Sequence, residues 1–245
     1  MAPRIDLDAG LRGGRYLLEL ECVRGLAILL VFLFHAWGIT VGRAEGPVPF
    51  WLGYVVAGNT GVTLFFVLSG FLLSLPWLRC ARGKAARPKT RNYYLARALR
   101  ILPLYLTAVA LATLASGNWG AGLRAALFQF VGFEIFPYSV VWWTLLTEVQ
   151  FYLLLPLFWL AWLHPGWPRR ALHLVLAAWL TSYLWIFVYP GLDAAPGPYW
   201  LTKSLFGRLP AFLTGMLAAH AYLAWRDRWR SRTAGWLGLA ALILA

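Results

Sequence analysis

LELECVRGLAILLVFLFHAWGI, residues 18–39, is the stretch that decides the fold. As an α-helix rising about 1.5 Å per residue it is long enough to cross roughly 30 Å of hydrocarbon. Two residues in it are out of place: Arg24 and His35, eleven positions apart. That spacing is close to three helical turns, so both side chains project from one face, about 16 Å apart along the axis. Ionisable groups within a membrane helix are costly, face the protein interior and mark functional sites by default. Helix one therefore carries a guanidinium near one membrane face and an imidazole well inside.

The rest of the chain repeats the pattern. Of 245 residues, 61% are hydrophobic and 13% charged, with 15 Trp and 15 Phe; the mean hydropathy is +0.65. A soluble domain of this length does not read so apolar. The apolar segments are continuous rather than alternating in polarity, which excludes a β-barrel. The class is all-α: a polytopic transmembrane helix bundle, with about seven spans visible and the last truncated, plus a re-entrant or interfacial segment. The net charge of +13 would suggest nucleic acid in a soluble protein. Here the basic residues fall in connections, as the positive-inside rule expects, so no nucleic-acid partner is inferred and the lipid bilayer is the surrounding partner. Cys22 and Cys80 lie near helix ends on the side read as cytoplasmic, where a structural disulfide is not expected.

Spans are expected at about 17–40, 58–78, 93–115, 141–163, 171–189 and 204–225, with a last one beginning near Ala234. That run is too short to cross before the sequence stops, so the domain at 17–245 reads as C-terminally incomplete. Residues 1–16 read as a cytoplasmic N-terminal segment, too mixed in charge for a cleaved signal peptide. GAGLRAALFQFVGFEIFPY, residues 120–138, is apolar enough to tempt a span yet holds Arg124, Glu134 and Pro137. If it does not cross, the eight basic residues of 79–100, Arg169 and Arg170, and the four arginines of 226–232 all share the side of the N-terminus. Charge bias thus favours a non-crossing segment and a cytoplasmic N-terminus, in what reads as a bacterial inner membrane.

In that topology His35 lies in the outer half of its helix, and Glu148 and Arg208 fall at a comparable depth. Three ionisable groups at one level form a candidate polar cluster. His164, His173 and His220 map to the interface, where water explains them; only His35 is deep. A neutral imidazole near pH 7 is what a general base requires, although a lone histidine in a bundle also serves as a hydrogen-bonded packing residue. Glu148 has two readings, a partner for His35 or an ion pair with Arg208. No second deep His or Cys completes a metal ligand set, so no metal is expected. Arg97 and Arg100, three apart in RNYYLARALRILPLY, share a helix face and suit phosphate groups. The loop cations before them, from Arg79 to Arg91, read first as orientation signals and lipid anchors. Ser69, in GVTLFFVLSGFLLS, reads as a packing residue among glycines rather than a nucleophile.

These residues, in this order, resemble the acyltransferase-3 family of integral-membrane acyltransferases. Arg24 and His35 fit its Arg-x10-His signature, and residues 61–73 look like its Gly-rich second helix. Arg97, Arg100, Ile101, Pro103 and Tyr105 match its Arg-x-x-Arg-Ile-x-Pro-x-Tyr run. Trp143, Leu145, Glu148, Phe151, Tyr152 and Pro156 match its Trp-Ser-Leu-x-x-Glu-x-x-Phe-Tyr segment, with Thr144 replacing the serine. GRLPAFLTGM, with Arg208, Phe212 and Gly215, is similar to a later family segment. The resemblance implies an O-acyltransferase that takes acyl-CoA, most often acetyl-CoA, as co-substrate, with no permanently bound cofactor. The acceptor is a hydroxyl of a glycan, a lipid-linked sugar or a small molecule. It further implies donor phosphates near Arg97 and Arg100, Arg24 guiding the donor, and His35 as base with Glu148 orienting it. The rival class is a transporter or flippase with a buried ionisable cluster. Against it, deep acidic residues are too few for a relay and inverted repeats are not apparent.

Overall fold

The computed structural model describes residues 18–42, 53, 58, 60–135, 139–189 and 199–225. Among them every regular element is helical. In chain order these are α1 (Leu18–Thr40), α2 (Thr60–Ala81), α3 (Thr90–Ser116), α4 (Trp119–Ala126), a 3-10 turn (Ser139–Trp142) and α5 (Trp143–Leu163). There follow α6 (Trp167–Tyr183), a π-helical turn (Leu184–Val188), a one-turn helix (Tyr199–Thr202) and α7 (Leu205–Trp225). Five helices are long and apolar enough to cross a membrane: Leu20–Thr40, Thr60–Ala81, Thr90–Ser116, Trp143–Leu163 and Trp167–Val188. Their outward faces keep large apolar side chains, such as Leu104 and Leu153, exposed on the protein surface. In lipid that exposure costs nothing, and a helix satisfies its own backbone groups. Helix α7 forms where the sixth span is expected and has 21 residues. It is not among those five, because Arg208, Pro210 and His220 dilute its apolar character. The expected span from Ala234 and the arginines of 226–232 lie outside the described residues.

Residues 120–138 do not cross. Helix α3 is closed by Gly117 in the left-handed conformation (φ 70°), whose N–H bonds the Thr113 carbonyl. Asn118 then caps α4, its side chain accepting from the Ala121 N–H at 3.1 Å. The eight residues of α4 reach only about 12 Å, well short of the hydrocarbon thickness. Side chains fold the remainder back: Arg124 pairs with Glu134, Asn118 donates to the Glu134 carbonyl at 3.2 Å, and Ser139 donates to the Gly132 carbonyl at 2.6 Å. The polar residues that made this stretch ambiguous are thus the ones that turn it around.

The chain divides into two compact units, Met1–Leu75 with Ala211–Ala245, and Pro76–Pro210. In the first, small residues let backbones touch. A Cβ on Gly61 would stand 2.6 Å from the Ala27 carbonyl oxygen of α1, one on Gly70 2.2 Å from that of Phe212, and one on Gly215 2.0 Å from that of Val67. Phe66 and Phe212 fill the space beside the crossing, ring centroids 4.8 Å apart. This is the packing expected of membrane helices, where lipid tails remove the hydrophobic drive and close fit replaces it. Gly215→Val is therefore expected to cost roughly 1–3 kcal/mol through overpacking. A lower midpoint in thermal aggregation of detergent-solubilised protein would register it, whereas an unchanged midpoint would contradict the crossing.

In the second unit, α3 and α5 run antiparallel in a fixed register. The Tyr94 hydroxyl donates to the Leu153 carbonyl at 2.9 Å, and the Tyr105 ring meets the Trp142 ring edge-on at 5.6 Å. Tyr105 also donates to the Ala125 carbonyl at 2.7 Å, tying α3 to the end of α4. Cys22 and Cys80 are free thiols.

Candidate active site

In the first unit, α1 presents both signature residues. His35 Nδ1 lies 2.8 Å from the Val31 carbonyl oxygen one turn earlier. A carbonyl only accepts, so Nδ1 carries the proton, and in the neutral ring Nε2 is left as the basic nitrogen. The backbone bond also fixes the ring's orientation. Arg24 Nη1 lies 2.9 Å from Glu21 Oε1, three residues before it, with both side chains partly exposed. Such a pair is worth only tenths of a kcal/mol, so it steadies Arg24 without committing it.

In the second unit, the register of α3 against α5 sets residues 97–100 opposite 147–150. Arg97 stands over the Tyr152 ring, its guanidinium carbon 5.7 Å from the centroid. The Tyr152 hydroxyl donates a very short hydrogen bond to Glu148 Oε1, one turn away on the same helix face. Arg100 also lies within electrostatic reach of Tyr152, and Tyr93 lies within reach of Arg97, Tyr152 and Glu148. Two arginines, two tyrosines and a carboxylate thus meet at one level. Two donors in the group, the Tyr93 hydroxyl and Arg97 Nε, are buried without a hydrogen-bond acceptor. Buried donors are rarely left orphaned, and such a pair is suited to an acceptor-rich ligand such as a phosphate.

Reading depth alone set Arg97 and Arg100 apart from Glu148; the structure brings them together. The sequence signal was present in two i, i+4 pairs, Tyr93 with Arg97 and Glu148 with Tyr152. Using it required the register between two helices far apart in the chain. Arg208 stands elsewhere in the same unit, 5.2 Å from the centroid of the Trp143 ring. Trp143 lines a small cavity of about 10 Å³ with Gln129 and Ser139, room for about one water molecule.

Comparison with known proteins gives a consistent result. The sequence profile of the acyltransferase-domain family, acyltransferase 3, matches residues 17–245. The chain is 26% identical over 271 aligned positions to nodulation protein 10 of Rhizobium leguminosarum bv. viciae, covering 92% of this chain and 70% of that protein. No solved structure matches. A profile match that runs from the start of helix one through every segment discussed above, in a chain whose helices suit an integral membrane protein, leaves one conclusion: the chain belongs to the acyltransferase-3 family.

Proposed function

We propose that this membrane acyltransferase moves an acyl group, acetyl foremost, from acyl-CoA to a hydroxyl of a glycan, a lipid-linked sugar or another extracytoplasmic acceptor. The family match over 17–245 carries the reading. The proposed setting is a bacterial inner membrane with the N-terminus in the cytoplasm, because the basic connections then share that side.

His35 is assigned the role of general base. With its proton held on Nδ1 by the Val31 carbonyl, Nε2 takes the proton of the acceptor hydroxyl as the oxygen attacks the thioester carbonyl. The C–S bond breaks, the new C–O ester bond forms, and the proton leaves with the CoA thiol. Protons balance without any further reactant. Arg97 and Arg100 are assigned to the donor's phosphates, with Tyr93 supplying a further hydrogen bond; Arg24 is assigned to the same anionic donor. Glu148 is assigned the balancing negative charge that keeps Arg97 and Arg100 tolerable at membrane depth and sets their direction through Tyr152.

If Arg97 holds the donor, Arg97→Ala removes a charge-assisted hydrogen bond. Such a bond is worth about 1.5–3 kcal/mol, or roughly ten- to hundredfold in affinity. The apparent KM for acyl-CoA should rise within that range while kcat changes less. Steady-state kinetics at varied donor concentration check this, and an unchanged KM would move the donor site elsewhere.

A further inference from the structure

A second cluster of charge lies in the Pro76–Pro210 unit, away from Tyr152 and Glu148 in its contacts. Lys203 Nζ stands 4.3 Å from the centroid of the Trp143 ring, and the Arg208 guanidinium carbon stands 5.2 Å from that same centroid. Both side chains are half-buried. The backbone that carries them is pinned: Thr147 Oγ1 donates to the Lys203 carbonyl at 2.5 Å, and Gln150 Oε1 accepts from the Leu205 N–H at 3.0 Å. The Trp179 indole donates to the Phe206 carbonyl at 3.0 Å, holding the first turn of α7 from another side. The two cations are therefore positioned and do not simply drift apart to relieve repulsion.

Two positive charges sharing one indole need a reason. Burial, and secondarily the charge of Arg208, push the Lys203 pKa below its ordinary value, so the arrangement costs free energy as it stands. The described carboxylates of this unit are otherwise engaged: Glu134 pairs with Arg124, and Glu148 takes the Tyr152 hydroxyl. Arg208 Nε is buried with no hydrogen-bond acceptor. An orphaned guanidinium N–H beside a second cation, next to an aromatic wall, is the complement of a compact dianion. A phosphate group carries about −1.5 to −2 charges near neutral pH and three acceptor oxygens, and a guanidinium fork with an ammonium matches it in charge and in donor count. A carboxylate would satisfy only half of that charge.

We propose that Lys203 and Arg208, set against Trp143, form a phosphate-binding site separate from the group around Arg97. The chemistry fits a phosphate on a soluble or lipid-linked sugar as well as a phosphate headgroup at the end of a membrane helix. Binding here does not depend on the acyltransferase reading, and the test below reads binding alone.

The chain has three lysines, Lys84, Lys89 and Lys203, so each can be followed separately by mass spectrometry after mild amine acylation with a succinimidyl ester. In detergent-solubilised protein, inorganic phosphate at twice its dissociation constant should slow Lys203 modification about threefold relative to chloride of equal ionic strength. Lys84 and Lys89 serve as internal controls and should keep their rates. A parallel arm uses vesicles containing phosphatidic acid against phosphatidylcholine alone. Protection by inorganic phosphate assigns the site to a free or sugar-borne phosphate; protection only in the phosphatidic acid vesicles assigns it to a headgroup. Arg208→Gln should abolish protection in either arm, and Trp143→Phe, which keeps an aromatic wall, should retain most of it. Equal Lys203 rates in phosphate, phosphatidic acid and chloride would overturn the proposal. So would protection that extends equally to Lys84 and Lys89, or that survives Arg208→Gln.

Discussion

His35→Ala should lower acyl transfer to the natural acceptor by on the order of 10³-fold, the middle of the range a positioned general base supplies. The argument rests on the geometry of one ring. Val31 accepts from Nδ1 at 2.8 Å, which fixes the tautomer and aims Nε2 as the proton acceptor. Alanine removes the base and leaves the helix backbone intact, since alanine is the best helix former. The mutant should therefore reach the membrane at normal abundance, and that abundance is the control. His35→Gln adds a second test, because glutamine can still hydrogen-bond but does not take up a proton at neutral pH. If the role is structural, glutamine should restore transfer; if it is basic catalysis, glutamine should be as inactive as alanine. Initial-rate assays on membranes normalised for protein content separate the two.

Glu148→Gln should lower transfer by about a hundredfold, and the prediction turns on charge rather than on hydrogen bonding. The glutamine amide oxygen can still accept from the Tyr152 hydroxyl, so the local bond persists. What disappears is the negative charge at the level of Arg97 and Arg100. Removing one partner from a partly buried charge group leaves the others uncompensated, at a cost of about 3–5 kcal/mol when burial is complete and less where it is not. Tyr152→Phe makes the opposite change, keeping the charge and deleting the hydroxyl, and should cost well under tenfold. If Tyr152→Phe proves as damaging as Glu148→Gln, the hydrogen bond and not the charge is what matters, and the assignment of Glu148 as a balancing carboxylate fails. Kinetics of the two single variants and the double variant, compared as a cycle, provide the measurement.

Much of this was legible in the sequence, for identifiable reasons. Helix boundaries follow from where apolar runs meet Gly, Pro and charge. The expected start of helix one at residue 17 and the observed Leu18 differ by one residue because Glu19 and Glu21 are polar enough to mark the end of the hydrocarbon. The turn-back of residues 120–138 was legible because Arg124 and Glu134 had no place in lipid; their pairing shows where they go instead. Helix three begins at Thr90, earlier than expected, because Thr90, Arg91 and Asn92 are polar yet continue the hydrogen-bonded spiral, which hydropathy alone does not register.

Lateral register was not legible. The spacing of Arg97, Glu148 and Tyr152 gives each a depth, but their meeting depends on how α3 slides along α5, and that is fixed by Tyr94 against Leu153 and Tyr105 against Trp142. Lys203 shows the same limit. In the sequence it is one more scattered cation; only the fold sets it beside Arg208 on a single indole. His35 and Glu148 fall in different compact units, and their two roles are accordingly argued one at a time.

The central claim is covalent acyl transfer through His35, and one measurement tests it most directly. Cells expressing the wild-type chain, the His35→Ala chain or neither are supplied with isotopically labelled acetate, and their glycans, lipid-linked sugars and hydroxylated small molecules are surveyed by mass spectrometry. The account predicts a product heavier by one labelled acetyl unit, present with the wild-type chain and absent from the other two. An equal yield of that product with His35→Ala, or a substrate that changes compartment in wild-type cells with no change in mass, would contradict it.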